Sequence, residues 1–246
     1  MDLCTGRLPK DEVYCASLPQ LADFAPSLPE PQKYWSVTDL VQQITHKSIP
    51  QLYPLDGNDR CGDCTTCGAA HMITIDSALA GSTVIPSAQD VVALYSKLGN
   101  GADNGLPLST VLKAWQRGIL GGHTIQASCN VDVTNLTHVK QAIQFLGGLY
   151  IGFATTSDTF SQFQAGTPWT VTSARQRGGH CVVITGYNDM LQEFTCLTWG
   201  QEQRAHYDWF DRYVDEAHGI VTVANTAFDS TTVSDMKARM PSLGGA

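Results

Sequence analysis

The chain of 246 residues is long enough for one large domain, or two lobes, with a substantial core. Apolar residues make up 43%, with Gly and Pro near ordinary usage, which excludes collagen-like, low-complexity and wholly disordered chains. Fifteen Lys and Arg against 23 Asp and Glu leave a net charge of −8, which argues against binding a nucleic-acid backbone. No apolar run reaches the about 18 residues of a membrane span. The opening MDLCTGRLPKDEVY lacks a signal-peptide core, so the expected compartment is the cytosol. Charged residues are only 15%, against roughly 25% in a typical domain, a hint that a partner covers part of the surface.

Residues 1–35 carry Pro9, Pro19, Pro26, Pro29 and Pro31 and are expected as an extended arm, laid over the domain or reaching a neighbour. The main domain is expected over 36–227. A buried helix of small residues is predicted over about 64–80, with Asp63 as its N-cap. A second starts at Ser87 and stops at Gly99, and a third runs from about Thr110 to Arg117. A fourth follows Asn135 and ends at Gly147-Gly148. GNGADNG between the second and third has no P-loop Lys and reads as a turn.

Beyond residue 148 the pattern changes. LYIGFA (149–154), HCVVITGY (180–187), EFTCLTW (193–199) and GIVTVA (219–224) read as strands, interrupted by an amphipathic helix over 206–217. The fold class is therefore α+β, with a helical lobe over about 50–147 and a strand-rich, antiparallel lobe over about 148–227. The polar tail, 228–246, is expected to be mobile or docked on a partner.

Eight cysteines without a signal peptide are expected as thiols. Cys61, Cys64 and Cys67 form a C-x2-C-x2-C run that could hold metal, but the next cysteine, Cys129, stands alone, so no metal and no cofactor is expected. A Cys at the first turn of a buried helix feels the positive end of the helix dipole, which favours thiolate. Cys64 has that position. His180, following Gly178-Gly179 at a strand start, could exchange its proton. His71, about 10 Å along the helix from Cys64, reads as a hydrogen-bonded interior residue. No G-x-S-x-G and no H-E-x-x-H occurs.

CGDC before this helix resembles the CGSC of papain-like cysteine peptidases, GGHCVVITGY resembles the strand around their catalytic His, and LTWG resembles their N-S-W-G. GNDRxGDCT, DNG, GGLYIGF and TWG…YVDEA are also similar to a group of papain-like proteins of bacteria and their phages. The resemblance implies a papain-like two-lobe fold whose second lobe is barrel-like. It implies Cys64 as nucleophile, His180 as base, Asn58 in the place of the oxyanion-hole Gln, and Trp199 covering the His. Cys61 matches a family disulfide position, without a partner near the usual spacing.

One departure stands out: the family's triad Asn, two before the Trp, falls on Leu197. Adjacent strand residues point to opposite faces, so if Leu197 faces His180 then Thr198 does not. The expected substitute acceptor is therefore a backbone carbonyl or an acid from Asp208, Asp211 or Asp215, ahead of Asn188 or Asp189. Asp63 would raise the thiol pKa if its carboxylate faced the sulfur. Two functions follow. One is a cysteine hydrolase acting on a peptide or amide substrate, acyl transfer at the same Cys being a variant. The other is an inactive papain-like module, a phage virion component whose arm and tail reach protein assembly partners.

Overall fold

The computed structural model describes residues 3–242; the outermost residues of the arm and tail, 1–2 and 243–246, lie outside the described residues. The arm is not extended throughout. Between Pro9 and Pro19 it forms α1 (Glu12–Ser17), capped by Asp11, whose Oδ1 accepts the Tyr14 N–H at 3.0 Å. Prolines on both sides of the helix confine it without interrupting it. Leu21, Phe24 and Leu28 then enter the core, and β1 (Tyr34–Ser36) leads into α2 (Val37–Thr45) and α3 (Ile49–Leu52).

The next helices are α4 (Cys64–Leu79), α5 (Ala88–Leu98) and α6 (Leu108–Arg117). β2 (Ala127–Asn130), α7 (Leu136–Phe145), β3 (Leu149–Thr156) and α8 (Ser157–Gln164) follow. The remainder is β4 (Gln176–Asn188), β5 (Glu193–Thr198), β6 (Gln201–His206), α9 (Tyr207–Tyr213), β7 (Val214–Val221) and α10 (Ser230–Arg239). α10 places the polar tail on its own chain, with Met236 buried and Met240 Sδ accepting the Ser128 N–H.

The strands form one antiparallel sheet in the order β2-β7-β3-β4-β5-β6, with β1 on β4. It is an open sheet, not a barrel. Alternation along each strand supplies two cores. Tyr150, Cys181, Val183 and Leu197 pack with α4 and α6 on one face. Ile151, Phe153, Val182 and Ile184 pack with the arm, α7 and α9 on the other. α4 is buried along almost its whole length because its small residues let the sheet come close. At Gly68 an added Cβ would stand 2.7 Å from the Tyr150 ring, whose hydroxyl donates to Thr65 O at 2.6 Å.

The helix predicted over 206–217 stops at Tyr213. Residues 214–221 instead pair with β2 on one side and β3 on the other, so ladder bonds on both sides override the helical period.

Candidate active site

Cys64 opens α4 and is buried. The backbone N–H groups of Cys181 and Gly6 point at its sulfur. Burial nevertheless pushes the thiol up to about 12, and the neighbouring Asp63 carboxyl adds to the rise. Asp63 holds the N-cap position without capping through its side chain. Its Oδ1 accepts from Asn58 Nδ2 at 3.1 Å, and burial raises its carboxyl to about 6. The second contact of the Asn58 amide is Cys61 O at 3.4 Å. Asn58 thus lies in the loop before α4, with its amide turned to Asp63.

His180 sits in β4 opposite Phe153 and is almost wholly enclosed. Trp199 lies flat on the imidazole, with ring centroids 4.4 Å apart and 12° between planes, and Phe153 meets the ring edge-on. Burial lowers the imidazole to about 3, so it is neutral. The oxygen on it belongs to Thr198: Oγ1 stands 2.8 Å from Nε2. Nδ1 has no hydrogen-bond partner among the described residues.

The expected acceptors lie elsewhere. Asp215 pairs with Arg7, and Asp208 and Asp211 are exposed. Asp189 binds Lys140 and Tyr207, and Asn188 caps a turn through the Met190 N–H. Sheet register explains the outcome. Leu197 pairs with Val183 and shares its face toward α4. The next residue, Thr198, turns to the opposite face, where Val182 and His180 lie. Leu197 does not face the His at all.

The position of Trp199 has an equally local cause. Thr198 pairs with Gln201, leaving Trp199-Gly200 as a two-residue hairpin loop with φ of 45° and 74°. Left-handed conformation at both loop residues matches the twist of a tight hairpin. It also swings the indole back over the imidazole.

The sulfurs of the C-x2-C-x2-C run do not converge. Cys61 Sγ contacts Gly57 O, Cys67 Sγ contacts Leu55 O, and Cys64 Sγ meets the backbone of Cys181 and Gly6. No disulfide joins any of the eight cysteines. His71 binds Pro54 O at 3.2 Å and lies 3.5 Å from Asp56.

Sequence reasoning missed what fills the cleft. Residues 4–8 run through it as a strap. Cys4 N–H donates to Asn58 O at 3.1 Å, and Trp199 Nε1–H donates to Cys4 O at 3.1 Å. Leu106 N–H donates to Gly6 O at 2.7 Å, and Leu8 N–H donates to Leu106 O at 3.1 Å, a parallel bridge around Arg7. Arg7 N–H donates to Gly179 O at 3.0 Å, one residue before His180. Glycines permit this closeness: a Cβ on Gly6 would stand 1.9 Å from Gly62 O, and one on Gly179 would stand 2.4 Å from Arg7 O. The only local signal was a cluster of glycines in distant segments, which a linear pattern does not connect.

No protein-family profile matches the chain, and no curated protein does. Solved structures do. Xylellain, a cysteine protease from Xylella fastidiosa, superposes with a TM-score of 0.65 at 15% identity, over 90% of this chain and 97% of that one. Procathepsin B S9 from Trypanosoma congolense gives 0.66 at 12% identity, over 89% and 86%. The Carica candamarcensis cysteine protease CMS1MS2, solved with E-64, gives 0.53 at 14% identity, over 78% and 99%. The chain has the papain-like cysteine protease fold.

Proposed function

We propose that the chain is a cysteine hydrolase of peptide or amide bonds, held latent by its own residues 4–8. The observation that carries this reading is the placement at the sheet end: His180 with Thr198 on Nε2, and Cys64 at a helix start on the backbone N–H of Cys181, the neighbour of that His, with no hydrogen bond on Nδ1 among the described residues. With Nε2–H donating to Thr198, Nδ1 keeps a lone pair to take the thiol proton. The thiolate attacks the substrate carbonyl, forming the C–S bond. The Cys64 N–H, first in its helix and without an intrahelical acceptor, faces the developing oxyanion. Asn58 adds its amide once it turns from Asp63. The imidazolium then protonates the departing amine as the C–N bond breaks, and water, deprotonated by the same ring, releases the acyl group as acid.

The strap accounts for the neutral thiol: it covers Cys64 with the Gly6 backbone and excludes water, so a thiolate there is not solvated, while His180 is closed off by Trp199 and Phe153. The phage-derived structural module is the second reading; what favours it is that both residues of the pair are buried.

The test is labelling. A site for a sequence-specific protease is inserted after Lys10, the folded protein is cut, and residues 1–10 are washed away. Incubation with a thiol-directed epoxide and peptide mapping should place the adduct on Cys64, at a rate at least tenfold above that of uncut protein. Equal, slow labelling of all thiols after cutting would establish the inactive module instead.

A further inference from the structure

Glu216 and His218 stand two residues apart on β7, so both side chains project to one face of the sheet. Over that face lies α1, in the arm. Asn130, opposite His218 on β2, donates from its side-chain amide to Cys15 O and holds the helix there. Cys15 Sγ then lies 3.4 Å from Glu216 Oε1, and His218 Nε2 lies 3.0 Å from the same oxygen. The sulfur, the oxygen and the nitrogen all fall within 4.8 Å of one another, and all three residues are buried. A linear pattern hides this group, because 201 positions separate Cys15 from Glu216.

A tetrahedral zinc ion, with bonds of about 2.0–2.3 Å, holds its ligand atoms about 3.3–3.8 Å apart, close to the spacing seen here. Thiolate, imidazole and carboxylate are each zinc donors. Charge also favours a divalent cation. Burial alone would raise the Glu216 carboxyl, yet His218 and Arg7 hold it below the usual range, so it is ionised. Asp215 and Glu216 share one cation, the Arg7 guanidinium, at 2.8 and 2.7 Å, which leaves one negative charge over. A Cys15 thiolate adds a second, and a divalent ion cancels both. Arg7 sits on Glu216 Oε2, so a metal on Oε1 does not displace it. An open cleft of about 480 Å³ reaches Cys15 and Glu216 from solvent, between Lys10, Asn130 and Asp215, with room for the ion and a water as fourth ligand.

We propose that Cys15, Glu216 and His218 bind one divalent transition-metal ion, zinc foremost, which clamps the arm to β7. On binding, the Cys15 S–H bond breaks, its proton passes to solvent, and the sulfur electron pair forms the bond to zinc, whose oxidation state does not change. Waters leave the ion as Glu216 Oε1 and His218 Nε2 take their places, the ring hydrogen resting on Nδ1. α1 continues from the strap, so the clamp restrains residues 4–8 in the cleft. The metal site is independent of the chemistry at Cys64; its effect on latency rests on the hydrolase reading.

The experiment uses full-length, metal-stripped Cys64→Ser protein, so that the thiol proposed as nucleophile binds nothing. Titration with zinc against a chromophoric chelator should show one equivalent bound, and Cys15→Ser in that background should lower the affinity at least tenfold. Cobalt in place of zinc should give a thiolate-to-metal charge-transfer band that Cys15→Ser removes and that Cys61→Ser with Cys67→Ser keeps. X-ray absorption of the zinc-loaded protein should show one sulfur at about 2.3 Å with nitrogen and oxygen completing the shell. That measurement needs no change at Cys15 and decides the matter if the variant does not fold. Hydrogen exchange over residues 12–17 should slow at least tenfold with zinc. Failure to bind one equivalent, two or more sulfurs on the metal, or a cobalt band lost with Cys61 and Cys67 overturns the site. Zinc bound as described with unchanged exchange over 12–17 overturns the clamp. Zinc bound with slowed exchange, but no Cys64 adduct in cut protein that retains this thiol, removes the hydrolase reading and leaves the metal site standing.

Discussion

Thr198 Oγ1 stands 2.8 Å from His180 Nε2, in a site where the indole of Trp199 closes the imidazole from water. A hydroxyl in this place can accept the Nε2–H and so support the tautomer that leaves Nδ1 unprotonated, but unlike a carboxylate or carboxamide oxygen it can also donate to Nε2. It carries no charge, so it offers an imidazolium less stabilisation than a carboxylate.

Thr198→Val preserves shape and removes the oxygen. A buried imidazole N–H without an acceptor costs about 1–3 kcal/mol, and the ring is freed to turn. In cut protein, epoxide labelling of Cys64 should slow on the order of tenfold, while Thr198→Ser should retain most of the rate. An unchanged rate in Thr198→Val would mean that another group orients His180.

Leu197→Asn, which places a carboxamide at the position the family pattern assigns to its triad, should not improve the site. Leu197 is 1% exposed and packs on the α4 side of the sheet. The change buries an amide among apolar groups and should lower unfolding free energy by about 2–4 kcal/mol. Urea denaturation measures the loss; a gain in Cys64 reactivity would show that the register argument is wrong.

Gly6→Ala tests the strap without cutting the chain. The added methyl would stand 1.9 Å from the Gly62 carbonyl oxygen, a backbone atom that cannot yield alone. The strap should lift, Cys64 should gain solvent, and its thiol pKa should fall from about 12 toward the ordinary range. Labelling of intact Gly6→Ala protein across pH 6–9 should exceed that of wild type at least tenfold.

Acid stability carries two opposing contributions. His180 titrates near 3 in the folded chain and near 6.5 unfolded, so between these values the unfolded chain binds more protons and stability falls as pH drops. Asp63, raised to about 6 from 3.8, acts the other way, its contribution being present at low pH and lost as pH rises through that window. The two partly cancel between about 4 and 6. Asp63→Asn removes the second, so the stability loss from pH 7.5 to 4.5 should become steeper than in wild type. A shallower loss in denaturation curves at the two pH values would contradict these assignments.

Much of this molecule is determined locally. The small residues of 64–79, the Ser87 cap and the β-branched runs at 149–154 and 180–187 specify their elements because periodicity and capping act over a few residues. The helix start at Cys64 and the stacking of Trp199 on His180 were legible from short strings matched to a family pattern.

What decided the rest acts between distant segments. The role of Thr198 depends on which residue of β4 it faces, and register is a property of two strands. The end of α9 at Tyr213 depends on neighbours on both sides of β7. The strap in the cleft depends on Gly6, Gly62, Gly105 and Gly179 meeting from four segments, where backbone packs on backbone only because side chains are absent. Arg7 and Glu216 lie 209 positions apart, and their pairing exists only once the sheet has closed around them.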